Sequence, residues 1–126
     1  MQMKDFSAHG FLRVAAVTPQ VSIGDPHSNA ENMLSQIKLL AEQKVAVAVL
    51  PELSLSGYSA EDLFFTDKLL ADCRLALATL AQQQTLPLCA VGLPWRLPDG
   101  RLLNCAALLG GGKLLGMVPK SVQPNY

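Results

Sequence analysis

Residues 45–58 read VAVAVLPELSLSGY. A short, continuously apolar run, of the kind a strand covered on both faces carries, stops at Pro51, and the next residue is the carboxylate Glu52. An acid at the end of a buried strand is either costly to keep or chemically useful. A second junction of the same design lies later, where the apolar stretch 114–118 is followed by Pro119 and then Lys120. Two apolar strands, each ended by proline and then by a charge of opposite sign, predict one site built from two strand ends.

Working outward from that pair, residues 12–17 (LRVAAV) read as a short buried strand, and 18–25 as a loop containing Pro19 and Gly24. A helix follows. Asp25 can cap it with Pro26 in the first turn, and Ser28 with Glu31 also fits a capping box. Ala30, Met33, Leu34, Ile37, Leu40 and Ala41 recur at spacings of three and four, which gives this helix one apolar face. The strand over 45–50 is followed by a loop with a helical turn expected near 60–65. A second helix is expected over 67–84, with Leu69, Leu70, Cys73, Ala76, Leu77, Leu80 and Ala81 as its stripe. A third buried strand over 88–93 should end at Pro94. Residues 102–109 and 113–118 should form a hairpin around Gly110, Gly111 and Gly112, since glycine supplies the positive φ that such a turn needs. The order β-α-β-α-β-β-β implies an α/β layered fold with parallel neighbours.

With 126 residues, half of them apolar and 16% charged, the chain fits one globular domain with one core. Formal net charge is zero and lysines and arginines form no cluster, which argues against nucleic acid as a partner. No apolar run is long enough to cross a bilayer, and MQMKDFSAHG lacks a signal-peptide core, so no membrane partner and a cytoplasmic location are expected. Cys73, Cys89 and Cys105 are odd in number and widely spaced, with no C-x-x-C, which fits a reducing compartment and supports no metal site. The final SVQPNY closes no element, and residues 1–126 are expected to form one incomplete domain with no second domain.

The chemistry is expected at the two strand ends. In α/β folds such ends face the crevice where ligands bind. Walled by Leu50, Leu53 and Leu55, Glu52 should be partly desolvated, its pKa raised toward general-base work. Taken alone, it fits a helix or turn cap, or a surface ion pair, slightly better. Lys120 reads as a cation that steadies a developing oxyanion and holds the acid in place, or as an ordinary exposed lysine. Each is a weak signal by itself; the repeated strand-proline-charge setting makes the pair a stronger one.

The segments LPELSLSGYSAEDL and MVPKSVQPNY resemble the first two signature segments of the nitrilase, or carbon–nitrogen hydrolase, superfamily. HGFLRVAAVTPQVSIGDPHSNAENM and SGYSAEDLFFTDKLL are similar to the glutaminase domains of the bacterial glutamine-dependent NAD(+) synthetase family, and the likeness runs from about His9 to Tyr126. The resemblance implies the N-terminal portion of a nitrilase-type α-β-β-α sandwich, paired with other copies into a homo-oligomer. It implies an amidase with a Cys-Glu-Lys triad, in which Glu52 is the general base, Lys120 stabilises the oxyanion, and Tyr126 and Tyr58 border the glutamine site. It further implies that L-glutamine is hydrolysed without a cofactor. The ammonia would pass to a separate synthetase domain that uses ATP and Mg to amidate deamido-NAD.

The family's nucleophile lies downstream of its lysine, beyond residue 126. Cys73 falls on a helix stripe, Cys89 inside an apolar strand and Cys105 mid-strand beside Asn104, so none suits the role. The chain alone is therefore expected to release no ammonia from glutamine. Tyr58 reads equally as a tyrosine packed under its loop. His9 and His27 have no partner at metal spacing. Trp95 reads as strand-end packing, and the Gly110–Gly112 run lacks the spacing of a phosphate loop. A stand-alone amidase of the same superfamily and a non-catalytic interaction module are the alternatives.

Overall fold

Asp25 settles the start of helix α1 (Pro26–Glu42): its side chain accepts from Ser28 N at 3.2 Å, with Pro26 in the first turn. The Ser28/Glu31 alternative is not the cap. The computed structural model describes residues 7–121, and α1 buries Asn29, Ala30, Met33 and Ile37 on one face. Helix α2 (Asp67–Gln83) is capped by Thr66, whose Oγ1 accepts from Leu69 N at 3.3 Å. All seven residues of its expected stripe are buried. The expected turn before it is a 3-10 helix over Glu61–Phe65.

The strands β1 (Val14–Ala16), β2 (Val47–Val49), β3 (Leu88–Arg96), β4 (Leu102–Gly110) and β5 (Lys113–Pro119) form one mixed sheet in the order β1-β2-β3-β4-β5. The β1-β2-β3 pairs are parallel, joined through the helices, and β3-β4-β5 are antiparallel. Gly111 and Gly112, with φ of 59° and 79°, make the two-residue turn between β4 and β5.

Pro94 does not end β3, which continues to Arg96. Ala90 and Gly92 turn their carbonyls to the β2 side, where they accept from Leu50 N and Leu55 N. Pro94, two residues on, faces the same way, past the last residue of β2, so its missing N–H breaks no ladder bond.

Helices α1 and α2 pack against each other and against one face of the sheet, where Ala48, Cys89, Val91, Leu93, Cys105, Ala107 and Leu109 join the helix stripes in a single core. The opposite face is built from Val14, Val49, Ala90, Gly92, Ala106, Leu108 and Val118, by the register of the strand pairs. Its valines are open: Val14 is 66%, Val49 50% and Val118 54% exposed. The continuous apolar run of β2 therefore does not reflect cover on both faces, because both helices lie on one. No helix among the described residues is long and apolar enough to cross a membrane.

Candidate active site

Strand direction decides where the two charged junctions meet. β4 runs against both neighbours, so β5 points the same way as β2, and the residues after both strands lie on one edge of the sheet. Three strand spacings still separate β2 from β5, about 14 Å. The loop after β2 closes that distance by crossing the open face of β3. Gly92 permits the crossing: a Cβ there would lie 2.5 Å from both Leu53 N and Pro51 O. Leu55 N donates to Gly92 O at 3.0 Å, and Ser54 N to Pro51 O at 3.2 Å. Leu53 takes a left-handed φ of 52°, a strain of about 1 kcal/mol for a side-chain-bearing residue, and the turn it makes sends Glu52 toward β4.

Glu52 meets two donors there. Lys120 Nζ donates to Glu52 Oε1 at 2.8 Å, and Asn104 Nδ2 donates to the same oxygen at 2.5 Å. Lys120 is itself pinned by its main chain, N to Asn104 O at 2.8 Å. Asn104 was not among the residues expected from sequence to serve the site. The only signal for it is a polar side chain inside the apolar run LLNCAALL, on the strand face that turns out to be open.

The expected environment of Glu52 is corrected. Leu50, Leu53 and Leu55 are buried, whereas the Glu52 side chain is 38% exposed, with Lys120 at 33%. The Lys120 hydrogen bond, with a smaller contribution from Asn104, outweighs desolvation and holds the Glu52 carboxyl below its ordinary range. Glu52 is therefore a carboxylate at neutral pH.

The pair stands at the rim of a cavity of about 330 Å³ lined by Val49, Pro51, Ala90, Gly92, Ala106 and Val118 together with Glu52, Asn104 and Lys120. Its walls are apolar and its polar groups converge at one end, as in a site that takes a small molecule. Tyr58 is half exposed after Gly57 and is not among the described residues lining this cavity. Tyr126 lies outside the described residues. Behind the loop, fully buried Asn29 donates to Ser22 O at 2.8 Å and Leu55 O at 2.9 Å, and accepts from Ser22 N at 2.7 Å. This second residue missed from sequence ties α1 to the segment that carries Glu52.

The three cysteines behave as structural thiols. All are buried, and burial pushes Cys73 up to about 12, Cys89 up to about 11 and Cys105 upward as well. Trp95 packs under the Arg74 guanidinium, 4.1 Å from the ring centre. Exposed His27 lies 3.9 Å from Asp72, and no group of three or more His, Cys, Asp or Glu among the described residues is placed to hold a metal ion.

The chain is 43% identical over 120 residues to the glutamine-dependent NAD(+) synthetase of Mycobacterium tuberculosis (strain H37Rv), a match that covers 94% of this chain and 18% of that protein. Among solved structures, a glutamine-dependent NAD(+) synthetase from Cytophaga hutchinsonii superimposes with a TM-score of 0.84 at 29% identity, over 90% of this chain and 20% of that one. The Acinetobacter baumannii enzyme of the same name, in complex with ADP, gives 0.79 at 32% identity, over 88% and 21%. This chain thus spans about a fifth of the length of the relatives it matches. The family model for carbon-nitrogen hydrolases matches residues 13–122, which takes in both charged strand ends and the whole sheet, and the chain belongs to that family.

Proposed function

We propose that this chain supplies the acid–base half of a glutamine-hydrolysing amidase site whose ammonia is used to amidate deamido-NAD to NAD. One observation carries the reading: the Glu52–Lys120 contact at the rim of an apolar cavity, in a chain whose relatives are named glutamine-dependent NAD(+) synthetases. In this reading a cysteine from outside residues 1–126 is the nucleophile. Glu52 takes its thiol proton, and the thiolate adds to the side-chain amide carbon of L-glutamine. Lys120 has three N–H donors, so it can keep Glu52 and still reach the developing oxyanion. The tetrahedral adduct collapses with the proton passing from Glu52 to the departing nitrogen as ammonia. Water then hydrolyses the thioester to glutamate and restores the thiol. These steps use a carboxylate, an ammonium and a thiol, with no cofactor.

ATP and Mg belong, in this reading, to a separate synthetase domain. The buried free thiols suit a reducing, cytoplasmic setting, and exposed Val14, on the open sheet face outside the cavity lining, suits assembly into a homo-oligomer.

A chimera tests the proposal: this chain replaces the matching residues of the Mycobacterium tuberculosis relative. Glutamine-dependent NAD formation should be retained, and Glu52→Gln should reduce it at least about 100-fold, the usual scale of a general base. Ammonia-dependent NAD formation should persist in the same variant, which reports that the rest of the protein is folded. An unchanged glutamine-dependent rate in Glu52→Gln would refute the reading.

A further inference from the structure

We propose that Asn104 is a positioning residue that makes the two oxygens of Glu52 unequal, holding Oε1 and reserving Oε2 as the oxygen that takes up the proton. The inference rests on the reading of Glu52 as a base and deepens it. Asn104 lies in β4, opposite Pro94 of β3 on one side and held by the main chain of Lys120 on the other, so its side chain starts from a fixed backbone. Its side-chain amide donates to Glu52 Oε1 at 2.5 Å while its main-chain carbonyl receives the main-chain N–H of Lys120 at 2.8 Å. One residue therefore sets both the acid and the lysine.

Lysine alone does not provide this. Its ammonium is a point charge on a flexible stem and binds either carboxylate oxygen equally well. The Asn104 amide is directional. An ionised carboxylate only accepts, so the amide must present its NH2 to Glu52. Both donors converge on Oε1, and among the described residues no donor reaches Oε2. Oε1 is consequently the poorer base, since protonating it would disrupt two charge-assisted bonds. Protonating Oε2 disrupts neither.

The test is an NMR titration of the 126-residue chain with 13C at the glutamate carboxyls and 15N at the asparagine amides. As Glu52 takes up its proton, the bonded Asn104 amide proton should keep its downfield shift through the transition. Its collapse to the free-amide position in step with protonation would overturn the assignment. In Asn104→Leu the Glu52 midpoint should move upward, because a donor to the charged form is gone. In Asn104→Asp the introduced carboxyl and Glu52 should titrate as a coupled pair in two separated steps. Asn104→Ser, with a shorter side chain, should follow the leucine variant and stands in if that variant does not fold. An unmoved midpoint in a folded leucine or serine variant would equally overturn the proposal. The titration needs no glutamine turnover. Failure of the amidase reading would leave these results intact, and their failure would leave that reading standing.

Discussion

Lys120 Nζ and Glu52 Oε1 lie 2.8 Å apart although 68 residues separate them along the chain. The contact follows from strand direction: β2 and β5 end on the same edge of the sheet, and the loop after β2 crosses β3 to bring the acid over Asn104. A pair set this way, at the surface and one-third exposed, does little for stability and much for placement.

The carboxyl of Glu52 is held below its ordinary value of 4.5, chiefly by Lys120. A depressed pKa contributes stability that is fully present above 4.5 and is lost as pH falls through the lower folded value. Thermal melts of the wild type and Glu52→Gln should therefore differ most above pH 5 and converge in acid. A difference that grows in acid would show that the carboxylate is strained rather than stabilised. Lys120→Met should raise the Glu52 midpoint with little loss of melting temperature.

Gly92→Ala should destabilise the chain by about 1–3 kcal/mol, the usual cost of overpacking. The added methyl meets backbone atoms of Pro51 and Leu53 at 2.5 Å, and neither can rotate away. The Glu52–Lys120 contact should loosen with it, visible as a higher Glu52 titration midpoint. A melt indistinguishable from wild type would show that the loop does not need to cross so close to β3.

Two buried polar residues should respond in opposite directions. Asn29→Ala leaves the main-chain N–H of Ser22 and the carbonyl of Leu55 without their partner, while the Ser22 carbonyl keeps Asp25 N, and should cost about 2 kcal/mol in urea denaturation. Ser54 is buried, and among the described residues its Oγ has no partner. Ser54→Ala removes that uncompensated hydroxyl and should be neutral or stabilising by up to about 1 kcal/mol. Equal losses in the two variants would contradict the hydrogen-bond account.

The three thiols should be inert in the native state. Burial raises all of them, two to about 11 and about 12, so at pH 8 an aromatic disulfide reagent should label none within minutes and all three after addition of denaturant. Rapid native labelling of Cys105, which borders the cavity, would reopen it as a nucleophile.

The open sheet face should drive self-association of this chain. Val14, Val49 and Val118 present apolar side chains that no described residue covers. Light scattering should report a species heavier than the 13.5 kDa monomer, and Val14→Lys with Val49→Glu should shift it toward the monomer without lowering the melting temperature. A monodisperse monomer at high concentration would rule this out.

What the amino-acid sequence determined by itself is the local layer. The α1 and α2 stripes, the Asp25–Pro26 helix start, the glycine turn at Gly111 and Gly112 and the element order follow from side-chain period, capping and backbone freedom, which act within a few residues. It also marked Glu52 and Lys120, because proline and charge after an apolar run is a local pattern. Five matters were decided only in three dimensions. β3 passes through Pro94, since the strand that would have needed its N–H has already ended. Gly92 matters because another segment crosses it. Asn104 becomes part of the site through the β3–β4–β5 register, and Asn29 through a loop 26 residues away. The ionisation of Glu52 turned opposite to the sequence expectation for the same reason: the apolar neighbours were visible in the chain, whereas the ammonium and amide that outweigh them arrive from distant strands, and charge interactions depend on distance in space rather than along the polypeptide.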